Sequence, residues 1–299
     1  MRRHSSSSAQ EAPPSPSPSP SRPIVSFPGG GIYFWWNAGV LEYLGERYDL
    51  KGTNLLGASA GALAIALVAC GIDFRHSAKV AYRLAEENKI YERPLALVGV
   101  WGRLVREWLE ELLPEDAHKL CESRVGICVL EVLPLKRTRV SSFRSRSDLI
   151  EALMASVHIP FLLDYKPFSS FRGRLCIDGS ALKNNYVSKS ETGRRPLYRL
   201  ITNPTNSDQE EREDLVYFKD RYSEGVIGET MGLPDVPKQQ DIYLTYMKDE
   251  ALQDDFFDFM QLKSFDGVTK LMDLGYEYAR REDERGGFEA LAGLRLECT

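Results

Sequence analysis

One pattern, met twice in quick succession, limits what this chain can become. A short apolar run enters a glycine-bearing turn and leaves it as a helix-spaced segment. Ile24 to Phe27 meets Pro28 and Gly29-Gly30-Gly31, after which aromatic and aliphatic residues follow at helical spacing from about Trp35 to Tyr48. Leu55-Leu56 then runs into Gly57-Ala58-Ser59-Ala60-Gly61, and Ala62 to Ala69 continues as a helix of small and branched apolar residues. Consecutive strand–helix units return each strand to the same sheet in the same direction, so helices must cover its faces. The fold class expected is α/β, a three-layer α/β/α arrangement with a mainly parallel central sheet. Further strands are predicted at Val125–Leu133, Val140–Phe143, Leu175–Ile177 and Leu197–Thr202, with helices around 76–88, 101–113 and 148–156. A charged, exposed stretch is expected at Asp208–Asp214, and a long amphipathic segment from about Glu250 to Arg281.

What surrounds this core narrows the function. From Ser5 to Pro23, eight serines and six prolines fill nineteen positions, a composition that neither buries surface nor holds a helix. Residues 1–23 are therefore expected to form a disordered arm, and 24–299 one folded domain. Arg2, Arg3 and Arg22 with a single acid, Glu11, give the arm some likeness to an organellar transit peptide, though its prolines oppose the usual amphipathic form. The most apolar window, Leu55 to Gly71, is too short and glycine-rich to span a bilayer. A net charge of −5 offers no footprint for nucleic acid. Cys70, Cys121, Cys128, Cys176 and Cys298 form no C-x-x-C pair and suit free thiols in a reducing compartment. His4, His76, His118 and His158 form no ligand set, so neither metal nor cofactor is expected. The expected location is intracellular: cytoplasmic, on a membrane or lipid droplet, or in a plastid.

The chemistry is expected at Ser59. Gly57 to Gly61 satisfies G-x-S-x-G, in which a serine sits on a strained strand-to-helix turn with its hydroxyl exposed and small neighbours on both sides. The string alone is weak in a chain with 23 glycines, but here an apolar strand precedes it and an alanine-rich helix follows. The simpler alternative is a glycine-flanked helix cap. A nucleophile also needs donors for the developing oxyanion. Backbone N–H groups of Gly29, Gly30 and Gly31, after the first strand, and of Ala60, next to the serine, are candidates. For the base, a late histidine is the usual partner, yet none follows His158, which lies just beyond a predicted helix and suits packing better than catalysis. Asp178, in Leu175-Cys176-Ile177-Asp178-Gly179-Ser180, ends an apolar strand where active sites of parallel sheets collect. The residues thus favour a Ser59–Asp178 dyad.

In order and spacing these motifs resemble the patatin-like phospholipase and lipase family. The resemblance runs from about Ile24 to Tyr186, with a fainter likeness at Leu271 to Tyr278. It rests on Pro28-Gly29-Gly30-Gly31, Gly57 to Gly61 and Asp178-Gly179-Ser180, with support from Leu113 to His118 and from Asp148 to Ser156 leading into Ile159-Pro160. It implies metal-independent hydrolysis of fatty-acyl esters of phospholipids or acylglycerols. Ser59 would attack the carbonyl, Asp178 would accept the proton, and the amides of the glycine loop and Ala60 would hold the oxyanion. Tyr33, Ser180 and Tyr186 differ from the family's commonest residues, which keeps open a catalytically weak lipid-binding or regulatory protein on the same fold.

A lipid substrate needs apolar walls. Tyr33-Phe34-Trp35-Trp36 would line an acyl groove or sit at a membrane interface, with at least two of the four in the core. Leu97, Trp101, Leu104, Trp108 and Leu112, with Arg103 and Arg106 between them, fit either an interfacial helix or, preferably, one buried against the sheet. Phe256, Phe257, Phe259, Met260, Leu262 and Phe265 are expected to cap the core or close over the site.

Overall fold

The computed structural model describes residues 22–181, 241–243, 246, 249, 251–252 and 263–297. The two strand–helix units are found where the sequence sets them. Strand β1 (Ile24–Phe27) is followed by helix α1 (Phe34–Arg47), and β2 (Asn54–Ala58) by α2 (Ala60–Ala69). β1 and β2 pair in parallel, Ile24 opposite Asn54 and Phe27 opposite Gly57. Side chains alternate across the sheet. Val25, Phe27, Leu55, Val125, Ile127 and Val129 face the large core, while Ile24, Leu56, Ala58 and Cys128 form a small cluster on the opposite face. The small residues of α2 let it lie close on the sheet. A Cβ on Gly61 would stand 2.4 Å from the Phe27 carbonyl oxygen, so the first turn of α2 abuts the end of β1.

The remaining elements follow in order: α3 (Phe74–Glu87), α4 (Trp101–Leu112), α5 (Ala117–Cys121), β3 (Val125–Val132), β4 (Leu135–Val140), α6 (Arg146–Ser156), β5 (Ser169–Phe171), β6 (Arg174–Asp178), β7 (Asp241–Tyr243) and α7 (Phe265–Glu284). Several helices begin at polar caps. Asp73 accepts the His76 amide, Ser145 the Asp148 amide and Ser264 the Gly267 amide. The sheet order is β5-β6-β3-β2-β1-β7, with β4 beside β3. Strands β7, β1, β2 and β3 run parallel, whereas β4 and β6 are antiparallel to β3 and β5 is antiparallel to β6. The expected α/β class is therefore present, as an open, mixed sheet.

One expectation needs correction. The strand predicted at Val140–Phe143 is β4, which ends at Val140. Its residues, Leu135-Lys136-Arg137-Thr138-Arg139, are too cationic to advertise a strand, and it forms only by pairing with β3 (Val132 opposite Leu135, Ile127 opposite Val140). Of the amphipathic segment expected from about Glu250 to Arg281, the part from Phe265 onward is helical, after the Ser264 cap. Residues 253–262, Leu197–Thr202, Asp208–Asp214 and the arm up to residue 21 lie outside the described residues.

Helix α7 crosses α1 at glycines on both sides. A Cβ on Gly39 would stand 1.8 Å from the Met272 carbonyl oxygen, and one on Gly275 would stand 2.0 Å from that of Trp36. Contact this close brings backbone against backbone. At the far end of the same pair, Tyr43 and Tyr48 donate to Asp283 at 2.7 and 2.5 Å, and Arg295 meets its carboxylate at 2.7 Å.

Candidate active site

Strand β3 explains how Ser59 and Asp178 meet. Its first half, Val125 to Cys128, pairs with β2, and Val129 to Glu131 pair with β6. Strand β4 pairs with residues from both stretches and so occupies the opposite edge. Hence β2 and β6 share one edge of β3 and approach each other head on. Strand β2 ends at Ala58 opposite Cys128, and β6 ends at Asp178 opposite Val129. The next residue after β2 is Ser59.

Ser59 sits at φ 52°, ψ −126°, a left-handed conformation that costs a β-carbon residue about 1–3 kcal/mol. The flanking glycines permit the turn. A Cβ on Gly57 would stand 2.6 Å from the Gly61 backbone, and one on Gly29 would stand 2.8 Å from the Ser59 Cβ. The Ser59 N–H donates to Ser156 Oγ at 2.9 Å, and Ser156 Oγ donates to the Cys128 carbonyl at 2.7 Å. The Ser156 carbonyl accepts the Gly179 N–H at 3.1 Å. One serine, 0% exposed, thereby ties the turn, β3 and the Asp178-Gly179 corner together. The sequence placed Ser156 at the end of a helix and gave no sign of this role. Its only signal was a small polar residue closing an otherwise apolar helix.

Asp178 is 5% exposed. Burial pushes its carboxyl above the ordinary aspartate value. Hydrogen bonds from the hydroxyls of Ser180 and Ser59, then the Ser180 N–H and the charge of Arg137, pull in the other direction. Ser180 Oγ and Ser180 N lie 2.5 and 2.8 Å from Asp178 Oδ1. Ser180 thus holds the carboxyl through both its hydroxyl and its amide, while Ser59 follows directly on the strand tip that meets it. Gly179 lets the corner close, since a Cβ there would stand 2.0 Å from the Cys128 carbonyl oxygen.

The glycine loop lies against this pair. A Cβ on Gly29 would stand 2.5 Å from Ser180 Oγ, and Gly31, Ser59 and Ala60 all line one cavity. Gly31 has φ 54°, which favours glycine. Ala60 is the first residue of α2, so its N–H is among those at the positive end of the helix dipole with no carbonyl one turn back. Tyr246 stacks on Tyr33 at 4.0 Å and presses on Gly30, where a Cβ would stand 2.4 Å from the ring.

His158 is buried and does a different job. Its Nε2 lies 3.2 Å from the Lys166 carbonyl, and its own carbonyl accepts the Asp178 N–H at 2.8 Å. It pins the loop beyond α6 to the end of β6.

From Ser59 an apolar cavity of about 180 Å³ extends between helices α1, α3 and α4 and the loop after α6. Phe34, Trp35, Leu63, Leu97, Trp101, Leu104 and Trp108 line it, with Tyr82 and Lys263 also on its wall. The Tyr82 hydroxyl donates to the Lys263 carbonyl. All four residues Tyr33 to Trp36 are buried, so none of them meets a membrane interface. Trp36 Nε1 donates to buried Asp249 at 2.9 Å, which Arg281 also holds at 2.9 Å. Leu104, Trp108 and Leu112 are likewise buried, and α4 serves as cavity wall rather than as an interfacial helix. Among the described residues no group of three or more His, Cys, Asp or Glu is arranged to hold a metal ion. Among the same residues, no helix is long and apolar enough to cross a membrane.

Together, sheet and cavity define an α/β protein organised around a serine at a strand–turn–helix corner. The chain belongs to the patatin-like phospholipase family, whose model matches residues 25–188, more than half its length. It is 32% identical over 159 residues to the omega-hydroxyceramide transacylase of Mus musculus, covering 52% of this chain and 26% of that protein. It is 30% identical over 169 residues to a 1-acylglycerol-3-phosphate O-acyltransferase of Homo sapiens, covering 54% and 34%. Patatin-like phospholipase domain-containing protein 2 of Homo sapiens is 28% identical over 195 residues, covering 64% and 36%. The match therefore spans only about a quarter to a third of these relatives. Members of the family are lipid hydrolases or acyltransferases.

Proposed function

We propose that this protein is a lipid acyl hydrolase working through Ser59 and Asp178. The observation that carries the reading is the convergence of the strained Ser59 turn and the buried Asp178 carboxyl, at the tips of β2 and β6 received by the neighbouring residues Cys128 and Val129, with Ser59 on the wall of an apolar cavity. An acyl chain of a phospholipid or acylglycerol occupies the cavity and brings its ester carbonyl to Ser59. Ser59 Oγ bonds to the carbonyl carbon as its proton passes to Asp178. The oxyanion is stabilised by N–H groups of Gly29, Gly30, Gly31 and Ala60. Collapse of the tetrahedral intermediate breaks the ester C–O bond, and Asp178 returns the proton to the departing alcohol. Water, deprotonated by Asp178, then attacks the acyl-serine, and collapse breaks the acyl–Oγ bond, Asp178 returning the proton to Ser59 Oγ as the fatty acid leaves. A second lipid hydroxyl in place of that water would make the same site an acyltransferase, the activity that the names of two relatives carry.

The test is turnover of a fluorogenic acyl ester by Ser59→Ala and Asp178→Asn, with folding checked by circular dichroism. Loss of turnover in both supports the dyad, and retention in either overturns it. Ser180 holds Asp178 Oδ1 with both hydroxyl and amide, which competes with Ser59 and motivates the second reading, a lipid-binding protein of weak activity. Fluorophosphonate labelling separates the two, because an unreactive Ser59 favours binding alone.

A further inference from the structure

Two loops beside the cavity carry apolar side chains where water should discourage them. Leu95 is 60% exposed, Phe161 61% and Tyr165 58%. Two of these are also strained. Phe161 has φ 65° and Tyr165 φ 60°, a backbone region uncommon for any residue with a side chain and least expected for a bulky one. Ala96, beside Leu95, has φ 44°. Strain and exposed apolar surface each cost free energy, and their coincidence at the same residues points to use rather than packing.

The loops are built as one platform. Gly99 N–H donates to the Leu162 carbonyl at 2.7 Å, Gly102 N–H to that of Leu163 at 3.0 Å, and the Tyr165 hydroxyl to that of Val98 at 3.2 Å. Arg93 turns back to the carbonyls of Ala96 and Val98, at 2.9 and 3.3 Å, and Phe161 N–H closes its own loop on Lys166 at 2.9 Å. The platform is continuous with the cavity: Leu97, close to Leu95, lines it, as do Ile159 and Leu163 on either side of Phe161. Its charge is small. Lys166 pairs with Asp164 at 3.5 Å, Arg93 spends its donors on the carbonyls of Ala96 and Val98, and Lys89, Arg93 and Lys166 against Glu92 and Asp164 leave a single positive charge. A surface so apolar and so nearly neutral complements a lipid–water interface that carries no net charge, and it offers little to anionic headgroups.

We infer that the loops 93–100 and 158–168 form an interfacial docking platform, on which Leu95 and Phe161 enter a zwitterionic lipid surface and align the cavity mouth with the lipid chains. The inference rests on the lipid reading of the site and adds the surface and its partner.

The experiment uses the full chain and phosphatidylcholine vesicles. Leu95→Ser/Phe161→Ser should lower vesicle partition about tenfold or more, from the loss of two apolar anchors. Turnover of a short, monomeric acyl ester should stay within about twofold, because neither residue lines the cavity. Leu133→Ser, which removes a 74% exposed leucine on the β3–β4 turn, is the control and should bind as wild type. High salt and added anionic lipid should leave wild-type binding unchanged. The platform is refuted if the double variant partitions like wild type, if Leu133→Ser weakens partition as much, if binding needs anionic lipid, or if the double variant loses monomeric-ester turnover. It is equally refuted if no vesicle binding occurs and the double variant instead abolishes self-association in ultracentrifugation. Ser59→Ala should still bind vesicles. Binding without any wild-type turnover would overturn the hydrolase reading and leave the platform standing.

Discussion

Replacing Ser156 with alanine tests the construction of the site more directly than replacing Ser59. The Ser156 hydroxyl accepts the Ser59 N–H and donates to the Cys128 carbonyl, all of it away from water. Alanine leaves that N–H unpaired at a residue already held at φ 52°. A buried donor without a partner costs about 1–3 kcal/mol. The carbonyl, with two lone pairs, loses less, so the total is about 2–4 kcal/mol. For a domain of this size that lowers the melting temperature by roughly 3–7 °C. Ser77→Ala is the fitting comparison, because the buried Ser77 hydroxyl only donates back to the Phe74 carbonyl on its own helix, at 2.7 Å, and leaves no N–H behind. Calorimetry gives the stability, and the rate of fluorophosphonate labelling reports whether the Ser59 turn keeps its shape. Ser156→Ala should melt well below Ser77→Ala and label more slowly than wild type. If it melts within a degree of wild type and labels at the same rate, the clasp is irrelevant and the reasoning fails.

Other perturbations follow from the same contacts. Gly275→Ala or Gly39→Ala must push α1 and α7 apart, since a Cβ would meet backbone oxygen at 2.0 or 1.8 Å. A loss of about 1–3 kcal/mol or more is expected, read as a lower urea midpoint; an unchanged midpoint would contradict the crossing. Burial raises the Asp178 carboxyl in the folded state, so its ionisation destabilises the fold as pH rises from the unfolded value toward the folded one. Asp178→Asn should therefore melt higher than wild type at neutral pH, with the gain vanishing below about pH 4. A constant difference across that range would argue against a buried charge. Ser180→Ala removes a hydrogen bond that lowers the Asp178 pKa, so the acidic limb of kcat/KM should move to higher pH. A limb that stays in place would detach Ser180 from the base.

Much of this architecture was legible because local chemistry and tertiary structure agree. Beta-strands β1 and β2 are short, apolar and closed by glycines, and α2 is made of residues small enough to lie on a sheet. Asp178 stood out because a lone carboxylate ends an apolar strand before glycine. What the sequence did not contain was register. Nothing local says that β6 turns antiparallel onto the second half of β3, and it is that pairing that brings Asp178 to Ser59. Strand β4 hid behind its cations, and Ser156 among apolar neighbours. For the aromatics Tyr33 to Trp36 the sequence left groove, core and interface open, because such side chains suit all three; all four are buried, and Phe34 and Trp35 line the cavity. Their burial follows from contacts with Tyr246, Asp249 and Trp108, two of them far off in the chain.

Strand β3 acts as a ruler. The tips of β2 and β6 touch because consecutive residues of one strand, Cys128 and Val129, receive them, so the gap between hydroxyl and carboxylate is set by a peptide unit rather than by flexible loops. Two extra residues inserted between those positions would keep every side chain on its own face and lengthen the strand by about 7 Å. The sheet could still assemble around such an insertion, yet Ser59 and Asp178 would stand too far apart for the proton transfer proposed between them.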